Sequence, residues 1–362
     1  MDPATPMKAV AAGTPPTDAP TSRLKRALFY LLAIACLVWV FHDVHPRALR
    51  AAMAISNWWF VVLAVVVDIL TYCLQGIRWK LLLSPVGRLS ALRTTQAIYA
   101  GLFVNELVPL RFGELVRGFL VSRWFSCGIT DVVPSIVVER FLDILWLAVG
   151  VALAALCVPL PTDLIEAGDL LGAILLVITG IFLWIVLRRK NELESGGAQP
   201  ASSSGIASGL SSFITRLALG LRQIGTSRWL YFAALLSSAM LMCQALAFWF
   251  MMLACGIRRP LVVGAIVMLI VRLGTMIPNA PANVGSFQFF TVLALGLFAV
   301  NKTTAAGFSI VMFAALTAPL WILGLFAISR TGMRLSTIRA EVASLRLPAR
   351  WASVTPKREN PR

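Results

Sequence analysis

Six stretches of predominantly apolar residues, at 27–44, 58–77, 132–158, 170–187, 230–254 and 306–328, approach or exceed the roughly 20 residues that a bilayer-crossing helix needs. No other feature so narrows what the chain can fold into. In hydrocarbon every backbone N–H and C=O must be bonded within its own segment, and for separate runs of this length that means helices. Composition agrees: 59% of the 362 residues are hydrophobic and 13% charged, against roughly 45–50% and about 25% in a soluble domain. A soluble globular protein is excluded, and so is a largely disordered one. The expected fold is all-α, a polytopic transmembrane helical bundle of six full spans.

Two further regions, 94–125 and 261–300, are split near their middles by proline and glycine into pieces too short for a comfortable straight crossing. They read as re-entrant or broken-helix pairs. Both carry a Pro-x3-Gly break, Pro109 with Gly113 and Pro281 with Gly285. The two regions enter from opposite sides of the membrane, which is the pattern an inverted repeat would leave.

The formal net charge of +16 would suggest nucleic acid in a soluble chain, but its distribution points elsewhere. With each broken pair entering and leaving on one side, 25 Lys and Arg fall in the N-terminal tail, 78–124, 188–229 and the C-terminal tail, and 5 on the other side. Basic residues concentrate in cytoplasmic segments, so both termini are expected in the cytoplasm of a bacterial inner-membrane protein, with no nucleic-acid partner. The parts are a tail over 1–23, a transmembrane domain over 24–329 interrupted by the basic loop 188–229, and a basic tail over 330–362. Phe213, Leu217, Leu221 and Ile224, and again Leu335, Ile338, Val342 and Leu345, recur at helical spacing. Both sets fit amphipathic helices lying on the cytoplasmic surface.

Ordinary enzyme chemistry finds few handles here. The six cysteines are scattered without a CxxC pair, and the two histidines, His42 and His45, sit together in a short loop where two ligands at i, i+3 do not make a metal site. There is no Walker A loop, no dinucleotide-binding glycine fingerprint and no HExxH. No cofactor, no metal and no catalytic residue is assigned, and the chain is not expected to be an enzyme.

Five charged residues inside apolar segments need another explanation: Asp68, Glu139, Arg140, Asp143 and Arg272. A charge costs about 2.5–3.5 kcal/mol at mid-helix, so Glu139, Arg140 and Asp143 together cost about 8–10 kcal/mol. The fifteen Val, Leu, Ile and Phe residues of 132–158, at roughly 0.3–0.6 kcal/mol each, return a similar amount. That helix must face the bundle interior, with Glu139 and Asp143 on one face and Arg140 paired to Asp143 one turn away.

The densest constellation is Asn105-Glu-Leu-Val-Pro-Leu-Arg-Phe-Gly-Glu-Leu-Val-Arg117. Pro109 and Gly113 interrupt a helix and free backbone groups that must line a cavity or be buried in protein. Beyond the break Arg111, Glu114 and Arg117 recur every three residues on one side of a helix start. Guanidinium forks suit a phosphate, and a helix N-terminus adds positive potential. Alternatively Arg111 and Arg117 only neutralise Glu114, Glu139 and Asp143. The second irregular place is Pro278-Asn279-Ala-Pro281-Ala-Asn283-Val-Gly285-Ser-Phe-Gln288.

Taken together, Asn105, Pro109, Arg111, Gly113, Glu114 and Arg117, then Glu139, Arg140 and Asp143, then the Pro/Gly-rich element around Pro281 and Gly285, resemble the lysylphosphatidylglycerol synthase transmembrane region, or flippase-like membrane domain. The likeness covers roughly 25–330 and implies a lipid-handling membrane domain, here without the family's aminoacyl-transferase domain. In the family the second element often reads Pro-Gly-Gly followed by Gly and Glu, whereas Ala282, Asn283 and Gln288 stand here in place of two glycines and the acid.

The leading expectation is a protein that binds and flips an anionic or glycosylated lipid: a phospholipid, glycolipid, or polyprenyl or hopanoid lipid. Arg111, Arg117, Arg140 and Arg272 would hold the phosphate, Glu114, Glu139 and Asp143 would compensate them, and Asn105, Pro109, Gly113, Pro278, Asn279, Pro281, Asn283, Gly285 and Gln288 would shape the two breaks. One alternative is a non-catalytic subunit docking a soluble lipid-synthesising or envelope-modifying enzyme through the basic loops. Another is an intramembrane lipid-modifying transferase using Glu139 or Asp143 as base.

Overall fold

A computed structural model describes residues 20–107, 112–157, 227–276 and 280–331, with isolated helical positions within 172–180 and 219–224. The described residues are helical throughout, with no strand among them. In chain order the helices are α1 (Pro20–Phe41), α2 (Pro46–Ala52), α3 (Trp58–Leu82), α4 (Ala91–Leu107), α5 (Gly113–Phe125), α6 (Ile129–Cys157), α7 (Trp229–Ala254), α8 (Leu261–Gly274), a 3-10 turn (Pro281–Asn283), α9 (Ser286–Gly296) and α10 (Lys302–Arg330).

Four of these, α3, α6, α7 and α10, are long and apolar enough to cross a membrane, and α1 with α2 makes a fifth candidate bent by 90°. Local chemistry sets their ends. Asn57 caps α3 by accepting from Trp59 N–H at 2.9 Å, and Asn301 caps α10 by accepting from Thr304 N–H at 2.7 Å. The chain leaves α5 through Ser126 in a left-handed conformation. The span expected over 170–187 lies largely outside the described residues; of the other five, four are straight helices and the fifth is the bent pair.

Both broken pairs form. α4 packs against α5, and α8 against α9. The hairpins sit in matching places in two four-helix units, α3 to α6 and α7 to α10, each a long helix, a short hairpin and a long helix. Substituting α7 for α3, α8 for α4, α9 for α5 and α10 for α6 turns one unit's packing into the other's. α3 on α4 matches α7 on α8, α5 on α6 matches α9 on α10, and α4 on α10 matches α8 on α6. Helix α3 also packs along α7, its own counterpart. The two run antiparallel, because Ser56 N–H just before α3 donates at 2.8 Å to the carbonyl of Ala254 at the end of α7. The units are therefore inverted relative to each other.

Two apolar clusters hold the bundle, one beside each hairpin. The first joins Trp79 and Leu82 of α3, Ile98 and Leu120 of the first hairpin, and Ala327 and Ile328 at the end of α10. The second joins Ala64, Met251, Met252, Ile266, Leu295, Phe308 and Met312 at the opposite end. Leu221 and Ile224, expected on a surface helix, are buried in the first cluster, so that segment docks on the bundle. The matching expectation for 335–345 falls outside the described residues.

Candidate functional site

Between the two clusters lies the charge. Glu139 on α6 is fully buried and is held from two neighbouring helices. Gln75 of α3 donates to its Oε1 at 2.8 Å, Arg78 Nη2 at 3.0 Å and Arg117 Nη1 of α5 at 3.0 Å. Arg117 Nη2 also stands 2.7 Å from Oε2, an ion-pair contact. Arg78, itself wholly buried, bridges on through Nη1 to Asp143 at 2.6 Å and to Ser237 of α7 at 2.8 Å. Arg117 is placed by the ring of Trp79, 4.9 Å from its guanidinium, and the Trp79 indole N–H donates to Ser135 at 3.1 Å. A buried carboxylate needs this density of donors, since ionised groups removed from water are tolerated only when paired and hydrogen-bonded.

Arg140 is held differently. It lies 3.5 Å from Glu114, 3.5 Å from Glu139 and 3.3 Å from Asp143, loose ion pairs without a hydrogen bond, and its side chain keeps 39% of its surface open. The opening is a cavity of about 280 Å³ lined by both four-helix units. The first unit contributes Asn105, Glu114, Arg117, Arg140 and Asp143, with Tyr72, Gln75 and Glu106. The second contributes Gln244 of α7, Arg272 of α8 and the turn Pro281, Ala282 and Asn283. Arg272 is hydrogen-bonded to Gln244, a neutral partner, and lies within electrostatic reach of Arg140 and Asp143.

Backbone geometry builds the rim. Asn105 accepts from Gly113 N–H at 2.7 Å and so closes the first hairpin across 108–111. A Cβ on Gly101 would stand 2.6 Å from the carbonyl of Gly113, so the two glycines let α4 and α5 touch backbone to backbone. In the second hairpin Ala282 and Asn283 both have positive φ, 58° and 55°. Glycine adopts this left-handed backbone without the strain that a side chain brings.

Of the residues singled out from sequence, Asn105, Gly113, Glu114, Arg117, Arg140, Asp143, Arg272, Pro281 and Asn283 line one cavity, and Glu139 lies directly behind it. Pro109, Arg111, Pro278 and Asn279 lie outside the described residues. Gly285 and Gln288 are not in the lining. Gln288 is buried and accepts from Gly285 N–H at 2.8 Å, which caps α9, and Gly285 lets α1 approach, since a Cβ there would meet the carbonyl of Ala33 at 2.5 Å. His42 pairs with Asp43 at 2.7 Å beside Lys302, at the surface and outside the cavity lining.

Sequence reasoning missed Arg78, Gln75, Gln244, Tyr72 and Glu106. The apolar run ends at 77 and places Arg78 with the basic loop, but α3 continues to Leu82 and buries it. Taking Arg78 and Arg117 out of the tally of basic residues leaves 23 against 5, so its sign survives. The two glutamines were detectable as uncharged polar residues in helices otherwise apolar on either side.

A bundle whose long helices are apolar enough to span a bilayer, enclosing arginines and carboxylates, defines a multi-pass integral membrane protein. The family model of the lysylphosphatidylglycerol synthase TM region matches residues 26–324, and the chain belongs to that family, which relates it to lipid handling. No curated protein matches the chain.

Proposed function

We propose that the protein binds an anionic or glycosylated lipid by its headgroup in this cavity and moves it between the leaflets of a bacterial inner membrane, with both termini in the cytoplasm. The lipid is carried without chemical change, so the chain is no enzyme and its partner is the membrane lipid itself. The observation that carries this reading is the contrast among the arginines. Arg78 and Arg117 are spent on buried carboxylates, whereas Arg140 is loosely paired and open, and Arg272 from the other unit has a neutral partner. Among the described residues four guanidinium groups thus stand among three ion-paired carboxylates, Glu114, Glu139 and Asp143. The excess is one positive charge, divided between the two units. A phosphate would be gripped by Arg140 from one side and Arg272 from the other, as guanidinium forks grip oxyanions, and the inverted units would rock about it.

The test is lipid mass spectrometry on detergent-purified protein. Wild type should retain one headgroup class that Arg140→Gln and Arg272→Gln lose, each by tenfold or more, corresponding to about 1.4 kcal/mol. Vesicle translocation of that lipid should fall in parallel. Equal retention of bulk lipid by all three proteins would count against the cavity as a headgroup site.

A further inference from the structure

The carboxylates of the bundle divide into two sets. Glu114, Glu139 and Asp143 are each within 4 Å of an arginine. Asp68 and Glu106 are not: among the described residues neither has an ion pair, though Asp68 is 7% exposed and Glu106 Oε2 is buried with no hydrogen-bond partner. The Trp321 side chain of α10 lies beside Glu106. Tyr72 connects them. It lines the cavity with Glu106 and lies in the electrostatic field of Asp68, Glu106, Tyr99 and Arg272. Its ring packs edge-on against Tyr99, centroids 5.6 Å apart, and the Tyr99 hydroxyl is buried and unpartnered while its side chain is in the field of Asp68. Tyr72 of α3 thus faces both carboxyls, Tyr99 of α4 faces Asp68 and Trp321 of α10 faces Glu106, while Arg272 of α8 and Cys73 of α3 reach the two phenols rather than the carboxyls.

A carboxylate taken out of water without a cation beside it is expelled or neutralised, and within a membrane bundle neutralising it means carrying a proton. Two phenols lying between two such carboxyls add hydroxyls that can both donate and accept. Glu106 also stands in the same cavity as Arg140 and Arg272. Ionised, it would cancel the single positive excess that recruits an anion; protonated, it leaves that excess for the headgroup.

We propose that Glu106, with Asp68 behind it across Tyr72 and Tyr99, is a proton site that couples lipid movement to proton movement. This rests on the headgroup reading above. When the cavity opens to water Glu106 ionises and repels the phosphate; the anion enters when Glu106 takes up one proton, –COO⁻ becoming –COOH, and both travel together. The proton gradient across the membrane then supplies the driving force that no nucleotide motif in the chain provides.

The experiment uses the full chain in vesicles containing fluorescent phosphatidylglycerol, with a pH gradient of about one unit imposed. A lipid anion carried with one proton should redistribute between leaflets by up to about tenfold. Glu106→Gln and Asp68→Asn should abolish the dependence on the gradient. A redistribution unchanged in both variants, or wild-type translocation indifferent to the gradient, overturns the proposal and leaves the headgroup site standing. Infrared spectroscopy supplies a reading that needs no transport: on lowering the pH from about 9 to about 5 a protonated-carboxyl C=O band should grow in, reduced in each variant, and its absence from wild type overturns the proton site. Loss of the headgroup reading would show separately, as lipid capture indifferent to Arg140→Gln and Arg272→Gln.

Discussion

The two four-helix units share a plan and differ in what fills them. In α3 to α6 the buried interior holds Arg78, Arg117, Glu139, Arg140 and Asp143; in α7 to α10 it is built on Met251, Met252, Phe308 and Met312, and among the described residues of that unit Arg272 is the charged one lining the cavity. Equivalent packing is therefore reached with and without ions. Apolar side chains fill such a place at no desolvation cost, whereas a buried ion pair adds little net stability over a well-packed apolar replacement. The charges of the first unit are retained for something other than holding the helices together, and the cavity they border is where that use lies.

Arg78 should give the largest difference between the two units. Arg78→Met should strand Glu139 and Asp143 with one donor set removed, a loss of about 3–5 kcal/mol, whereas Met251→Leu, a volume-conserving change at a fully buried site of the second unit, should cost less than about 1.5 kcal/mol. Thermal unfolding in detergent measures both. Similar losses would mean that the charge cluster is no more demanding than the apolar one, and the division between the units would dissolve.

The hairpins give the next contrast. In the first, a Cβ on Gly113 would run into the carbonyl of Gly101, backbone that cannot swing away; in the second, a Cβ on Gly274 would run into the ring of Phe290, a side chain. Gly113→Ala should therefore cost at the upper end of the 1–3 kcal/mol range for overpacking, about 3 kcal/mol, and Gly274→Ala at the lower end, about 1 kcal/mol. The measurement is again unfolding in detergent, and an inverted order would show that the first hairpin is the more yielding of the two.

These differences bear on what could be read from sequence. The long spans were legible because apolar runs cannot be anything else in a bilayer, and the hairpins because proline and glycine cut runs too short to cross. Glu139, Arg140 and Asp143 announced themselves by their cost. Arg78 did not, because an apolar run was taken to end at its first charge, whereas a helix ends where its backbone bonding ends. Gln75 and Gln244 cost too little to stand out singly, and Glu106 was passed over because its neighbours in the Asn105–Arg117 motif offered arginines. Gln288 and Gly285 belonged to the right motif but serve the backbone: one caps α9 and the other admits α1. Position in a motif does not separate a residue that faces a ligand from one that shapes the turn.

The smallest effects sharpen the comparison at the tip of the second hairpin. Ala282 holds φ 58° and Asn283 φ 55° beside the cavity. An L-residue pays roughly 1–2 kcal/mol for the left-handed region, and glycine avoids this at the expense of a more flexible unfolded chain. Ala282→Gly should therefore stabilise by up to about 1 kcal/mol, while Asn283→Gly should fall within about 0.5 kcal/mol of zero, because asparagine already tolerates that conformation. If the strain at Ala282 serves to hold the turn against the arginine side of the cavity, Ala282→Gly should also weaken headgroup capture while raising the unfolding temperature. A variant that gains stability and keeps full capture would show the turn to be only a connection between α8 and α9, and the shaping of the site would then belong to the first unit alone.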